Sequence, residues 1–252
     1  TIIGNSITNK NTSNSKNWRV SKPKSFIIKD NLSKEEEIGN KVNSFLNKLS
    51  PKNFEIISKS VLDICKDNKD DDNIKDIILD NIFLKAVMQS IYCPYYVKLI
   101  NNIIDENINI TSIINKKSKE YQHMLSMENK KDLTTSEKET YDEFCEKIKN
   151  KTYKAGYSQF IGELLKNKII SEFIVRDCLE LFINNLNSLI KEKSDSDSIE
   201  DNLICAINLL KTTYSIIDYK ELLESLVKIK DTGNLKIRLK FKIMDLYDEI
   251  NK

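Results

Sequence analysis

One histidine, five cysteines, an acidic triplet and three lysine-rich clusters are the residues of this 252-residue chain whose types can do more than pack. His123 stands in a charged stretch with no serine or cysteine nucleophile pattern beside it, so Ser-His and Cys-His catalysis lack a visible base and the residue reads as a surface histidine. Cys65, Cys93, Cys145, Cys178 and Cys205 are odd in number, and no two are close enough for a metal clip. Cys65, Cys178 and Cys205 fall among apolar residues at helical spacing, where a free thiol is a small buried hydrophobe, and a reducing compartment such as the cytosol or nucleus fits that use. Asp70, Asp71 and Asp72 are consecutive and lack the alternate spacing of a calcium loop, so they read as a solvated turn. Five scattered glycines build neither Gly-x-Gly-x-x-Gly nor a phosphate-binding loop. No catalytic residue, cofactor or metal site is expected, and the chain reads as a non-enzyme.

Phosphate contact is the chemistry open to the lysines, because Lys and Arg release condensed counterions when they meet a polyanion. The clusters are Lys116, Lys117 and Lys119; Lys147, Lys149, Lys151 and Lys154; and Lys236, Arg238, Lys240 and Lys242. Each has acidic neighbours, so RNA contact and a plain solvated face both stay open; the second cluster is taken as the RNA-binding candidate. With Lys+Arg at 40 and Asp+Glu at 38, any such surface is a local patch and not a global field. Trp18 is sharper. A lone tryptophan in a polar tail, followed by Arg19, has no local core to enter, and both types are enriched among interface hot spots.

Helices must position these groups. Hydrophobic residues make up 40% of the chain, while Gly (5) and Pro (3) are scarce, which favours long helices over hairpins and barrels. Residues 1–32 are rich in Asn, Ser, Thr and Lys and cannot form a core. At Ser33 a capping box with Glu36 opens a helix whose stripe is Ile38, Val42, Phe45, Leu46 and Leu49. Ser50-Pro51 then restarts the pattern, with Ser50 as N-cap and Pro51 at the first helical position. A second hairpin follows, broken near Pro94. The stretch 111–152 is weakly periodic, with a capping box at Ser136 and Glu139, and a third clear pair runs from Phe160 to Phe182 with its turn near Ser171. Three more helical stripes end the chain. Lys236 to Ile243 alternates charged and apolar, a strand pattern taken alone, but no partner strand is evident and context favours helix. Helix pairs of about 40 residues in series predict an all-α, HEAT-type α-solenoid of about five antiparallel pairs. A flexible segment 1–32 precedes a repeat domain 33–252.

Four segments in fixed order carry a family resemblance: Phe45-Leu46-Asn47-Lys48-Leu49-Ser50-Pro51, Ile82-Phe83-Leu84-Lys85-Ala86, Phe160-Ile161-Gly162-Glu163-Leu164-Leu165-Lys166 and Arg238-Leu239-Lys240-Phe241-Lys242. Together they resemble the middle domain of eukaryotic translation initiation factor 4G, over nearly the whole chain from Trp18 to Ile250. The resemblance implies a scaffold that binds a DEAD-box RNA helicase, initiation factor 4A, bridging its two lobes and holding them half-open, with mRNA as a further partner. By position, it implies that Trp18, Arg19, Asn47, Lys48 and Tyr92 serve one lobe and Arg238 and Lys242 the other. Gln89-Ser90 stands where family members carry a Glu-Pro pair, a departure consistent with a diverged protist or viral version. Related helix-repeat adaptors of nonsense-mediated decay, nuclear cap binding and splicing are the alternative. No Tyr-x-x-x-x-Leu-apolar motif lies within these residues, so contact with a cap-binding protein would run through regions outside this chain. Thr1 as first residue suggests an excised fragment. A cytoplasmic, membrane-free setting follows from the resemblance and from the lack of an apolar run near the roughly 20 residues that cross a bilayer.

Overall fold

The computed structural model describes residues 32–127, 141–192, 196–232 and 235–251, and among these every regular element is helical. The helices are α1 (Lys34–Leu46), α2 (Phe54–Asp67), α3 (Asp72–Met88), α4 (Cys93–Asp105), α5 (Thr111–Met127), α6 (Tyr141–Lys166), α7 (Glu172–Lys191), α8 (Ser196–Thr213), α9 (Lys220–Thr232) and α10 (Ile237–Ile250). Trp18, Arg19 and the Ser136/Glu139 pattern lie outside the described residues, as does the side chain of His123.

Local signals set most boundaries. Ser33 and Glu36 close the capping box in both directions, Glu36 N donating to Ser33 Oγ at 3.2 Å and Ser33 N to Glu36 Oε2 at 2.9 Å. Pro94 sits at the start of α4, where its missing N–H costs nothing. The acidic triplet is more than a solvated turn: Asp71 caps α3 by accepting from Ile74 N at 3.2 Å, and Asp72 pairs with Lys75 at 2.6 Å. Ser50-Pro51, in contrast, does not start α2. Its first three residues form a turn in which Asn53 Oδ1 accepts from Ser50 N at 2.7 Å while Asn53 Nδ2 donates to Lys48 O at 2.6 Å, and the helix begins at Phe54. Residues 236–243 are helical within α10, because Leu239, Ile243 and Leu246 form a buried stripe that the strict alternation hides.

Two layers of helices result. The even-numbered helices lie side by side and parallel, as cross-links of rising number show: Glu55–Lys98 and Lys66–Glu106 join α2 to α4, Ser90–Gln159 and Asn101–Asn167 join the α4 region to the α6 region, Lys151–Asp201 and Gly162–Thr212 join α6 to α8, and Glu200–Arg238 and Lys211–Glu249 join α8 to α10. The odd-numbered helices pack in the same succession, α1 on α3, α3 on α5, α5 on α7 and α7 on α9. Each odd helix returns as the next even one, so the expected five antiparallel pairs are α1/α2 through α9/α10. This moves one boundary. The stretch 160–182 spans two pairs: α6 meets α5 through the Tyr121 and Tyr157 contact, α7 packs chiefly on α8 and only lightly on α6, and Ser171 ends the link between the two pairs.

The core is continuous across the pairs and apolar, with Cys65, Cys93, Cys178 and Cys205 buried in it as small hydrophobes. Burial alone raises the thiol of Cys65 to about 12, the behaviour of an inert group. Between α5 and α6 the contact is aromatic: Tyr121 and Tyr157 stack at 3.9 Å between ring centroids, Tyr157 donating to Lys117 O and Tyr121 to Lys154 O, both at 3.1 Å.

Candidate partner-binding edge

The even helices are parallel but staggered: Ser90, just before α4, is level with Gln159 far along α6, whereas Arg238 is level with Glu200 and Asp201 with Lys151. The edge where pair members join is therefore stepped, with the α1–α2 and α3–α4 turns at one level and the starts of α6, α8 and α10 about three turns or more away along the helix axes. Of the described residues that the family resemblance nominates, Asn47, Lys48 and Tyr92 lie at the first step and Arg238 at the second, with Lys242 a turn beyond it. Asn47 and Lys48 are exposed in the α1–α2 turn, and Tyr92 is half-buried in the single 3-10 turn Ser90–Tyr92 between α3 and α4. The two turns are tied together: Tyr96 of α4 donates to Gln89 Oε1 at 2.6 Å and lies 3.4 Å from the carbonyl oxygen of Leu46. Arg238 opens α10, and Lys242 follows one turn further along. Lys147, Lys149 and Lys151 lie on the amino-terminal half of α6, and Lys154 is half-buried beside the Tyr121 contact.

These positions differ in how much charge they offer. Lys48, Lys147 and Lys149 are exposed. Lys151 is held at 2.5 Å by Asp201, and this hydrogen bond raises its pKa above the usual lysine value despite the opposing cost of burial. Arg238 pairs with Glu200, a carboxylate only 9% exposed, so part of its role is to neutralise an acid at the start of α8. From the first cluster, Lys117 is likewise committed to packing. It bridges Asp76 at 2.9 Å and Asp80 at 2.5 Å on α3; burial alone would lower its pKa, yet the two carboxylates outweigh it and the net shift is upward. Helix dipoles add little to the edge, since odd helices end where even ones begin and their fields oppose. The local potential is set by side chains.

Apolar side chains that the sequence reading did not nominate share this edge. Ile91 is 85% exposed in the turn beside Tyr92, Met88 ends α3 in the open, and Ile237 is 72% exposed at the start of α10. Large exposed apolar side chains such as Ile91 and Met88, adjacent in one turn beside Tyr92, form the kind of patch that marks an interaction surface. The signal available in the sequence was the short unit Ser90-Ile91-Tyr92-Cys93-Pro94, where a turn before proline carries an isoleucine with no helical stripe to join.

The MIF4G domain model matches residues 40–249, which includes both layers and all of the described edge. The chain belongs to this family. Among curated relatives of this MIF4G chain, rice eukaryotic translation initiation factor 4G is 25% identical over 248 residues, covering 89% of the chain and 13% of that protein. Mouse eukaryotic translation initiation factor 4 gamma 1 is 24% identical over 271 residues, covering 92% and 16%, and human eukaryotic translation initiation factor 4 gamma 3 is 25% identical over 247 residues, covering 85% and 14%. The MIF4G chain thus spans about a seventh of the length of these relatives. Among the described residues no group of three or more His, Cys, Asp or Glu is placed to hold a metal, and no helix is long and apolar enough to cross a membrane.

Proposed function

We propose that this MIF4G chain is a translation-initiation scaffold that binds and stimulates a DEAD-box RNA helicase of the initiation factor 4A type in the cytoplasm. The observation that carries the reading is that Asn47, Lys48 and Tyr92 stand together with exposed Ile91 at one step of the edge, and Arg238 with exposed Ile237 at another, in a domain whose relatives are initiation factor 4G proteins. Residues 1–32 carry the Trp18-Arg19 latch ahead of the repeat domain 33–252. The scaffold works by binding energy alone. A partner with two lobes is shifted toward the arrangement in which both touch the edge, by as much as the scaffold prefers that arrangement over the others.

Helicase affinity and stimulated ATP hydrolysis test the reading. Lys48→Glu and Trp18→Ala are each expected to weaken helicase binding about tenfold and lower stimulation, with helical content unchanged. Stimulation at the original level in both variants would remove the edge as the helicase surface. Arg238→Glu is the poorer probe, because it sets a second carboxylate against the nearly buried Glu200 and disturbs the fold as well as the contact.

RNA contact is carried by the amino-terminal half of α6, where Lys147 and Lys149 are exposed and Lys151 also pairs with Asp201. In a titration of single-stranded RNA against salt, Lys147→Glu/Lys149→Glu is expected to flatten the slope of log affinity against log salt by about 1.4, two phosphate contacts at about 0.7 each. An unchanged slope would place RNA elsewhere.

A further inference from the structure

We infer that the outer face of α10 is a self-association surface, on which a second copy of this chain packs its own α10 in the antiparallel sense. The helix has two apolar faces. Leu239, Ile243 and Leu246 point into the core against α8 and α9, while Ile237, Phe241 and Met244 form a separate stripe on the outside, 72%, 56% and 44% exposed. Their spacing of four and then three residues is that of a helix-packing seam.

Charge selects the occupant. One flank of the stripe reads Arg238, Lys242, Asp245, Glu249, again at steps of four, three and four, basic in its first half and acidic in its second. Two copies related by a two-fold axis bring this flank against itself reversed, so the basic half of one faces the acidic half of the other. The same operation sets Phe241 against Met244 in both halves of the seam, a favourable sulfur–aromatic contact. A parallel arrangement would oppose like charges. Arg238 and Glu249 are tied to Glu200 and Lys211 of α8, which holds the outer members of the flank in place and leaves Lys242 and Asp245 as the pair that selects the partner.

Sedimentation of the whole chain over about three decades of concentration, without helicase or RNA, tests this independently of the proposed function. A concentration-dependent dimer is expected. Phe241→Asp should abolish it, and Lys242→Asp or Asp245→Lys alone should weaken it at least tenfold. The double reversal Lys242→Asp/Asp245→Lys should restore it, because the flank is again self-complementary. All three positions project outward from α10 or lie at its rim, and circular dichroism checks that each variant stays helical. A chain that remains monomeric throughout overturns the proposal, as does a dimer indifferent to Phe241→Asp or one in which the double reversal is no better than either single change. A monomer that binds helicase with the wild-type chain but not with Phe241→Asp assigns the stripe to the helicase instead.

Discussion

Gly156→Ala is expected to lower the stability of the repeat domain by at least about 3 kcal/mol, although alanine is the better helix former by about 1 kcal/mol. Gly156 is buried in the middle of α6, where that helix crosses the end of α3. A Cβ built there falls 2.0 Å from the carbonyl oxygen of Val87 and 2.9 Å from its carbonyl carbon. Both obstacles are main chain within α3, so no rotamer change relieves them. The helices must separate, and separation loosens the contacts on either side of the crossing, including the edge-on pair Phe83–Phe160 at 4.7 Å. For a domain of this size the loss corresponds to a fall in melting temperature of about 6–12 °C, readable by calorimetry. A change smaller than about 1 kcal/mol would mean that the two helices are not held at this distance in solution. Gly162→Ala is a milder case. Its Cβ meets Thr212 Cβ at 2.6 Å, an atom the α8 backbone holds in place, so α6 and α8 must also shift apart, though by less than the 2.0 Å clash at Gly156 demands.

The same crossing shows what the sequence could and could not display. Helix existence was legible almost throughout, because stripes such as Phe54, Ile57, Val61, Ile64 recur at helical spacing and local chemistry marks many starts, Ser33 and Pro94 among them. Pairing was harder to read. The stretch 160–182 looks like a hairpin because a short turn at Ser171 joins two strong stripes, yet α6 spends its apolar surface on α3, α4 and α8, and only its relation to α5, through Tyr121 and Tyr157, defines its pair. The residues that carry this contact are separated by a weakly periodic, charged stretch whose polarity masks them. In α10 the strand-like alternation arose because the helix is apolar on two faces, so the buried stripe and the exposed one together occupy every other position. The nominated residues came from a resemblance, and no local pattern reveals that they share an edge. That is a property of parallel stacking, fixed by links such as Lys66–Glu106 and Lys211–Glu249 between residues about 40 positions apart. That Lys151 and Lys117 are committed to carboxylates is likewise invisible until Asp201, Asp76 and Asp80 are seen beside them.

Phe160→Ala should cost about 3–5 kcal/mol and also disturb the edge at a distance. Phe160 is fully buried, edge-on to Phe83 of α3 and to Tyr157 one turn earlier in α6, at 4.7 Å and 6.0 Å between ring centroids. Its removal leaves a cavity that main chain cannot fill, because Gly156 already brings α6 and α3 to their closest approach one turn away. The aromatic column continues through Tyr157 to Tyr121, so α5 loses lateral support as well. Lys147 and Lys149 sit on the part of α6 that precedes this anchored region, where the Lys151–Asp201 bridge is partly exposed and worth about 1 kcal/mol or less. Loosening the anchor therefore frees the lysines to reorient. Urea unfolding should show the full loss for Phe160→Ala, while Phe160→Leu, which keeps most of the volume, should lose less than about 1.5 kcal/mol. If the alanine variant costs no more than the leucine variant, the aromatic column is not what fixes α6, and the placement of its lysines on the shared edge loses its physical basis.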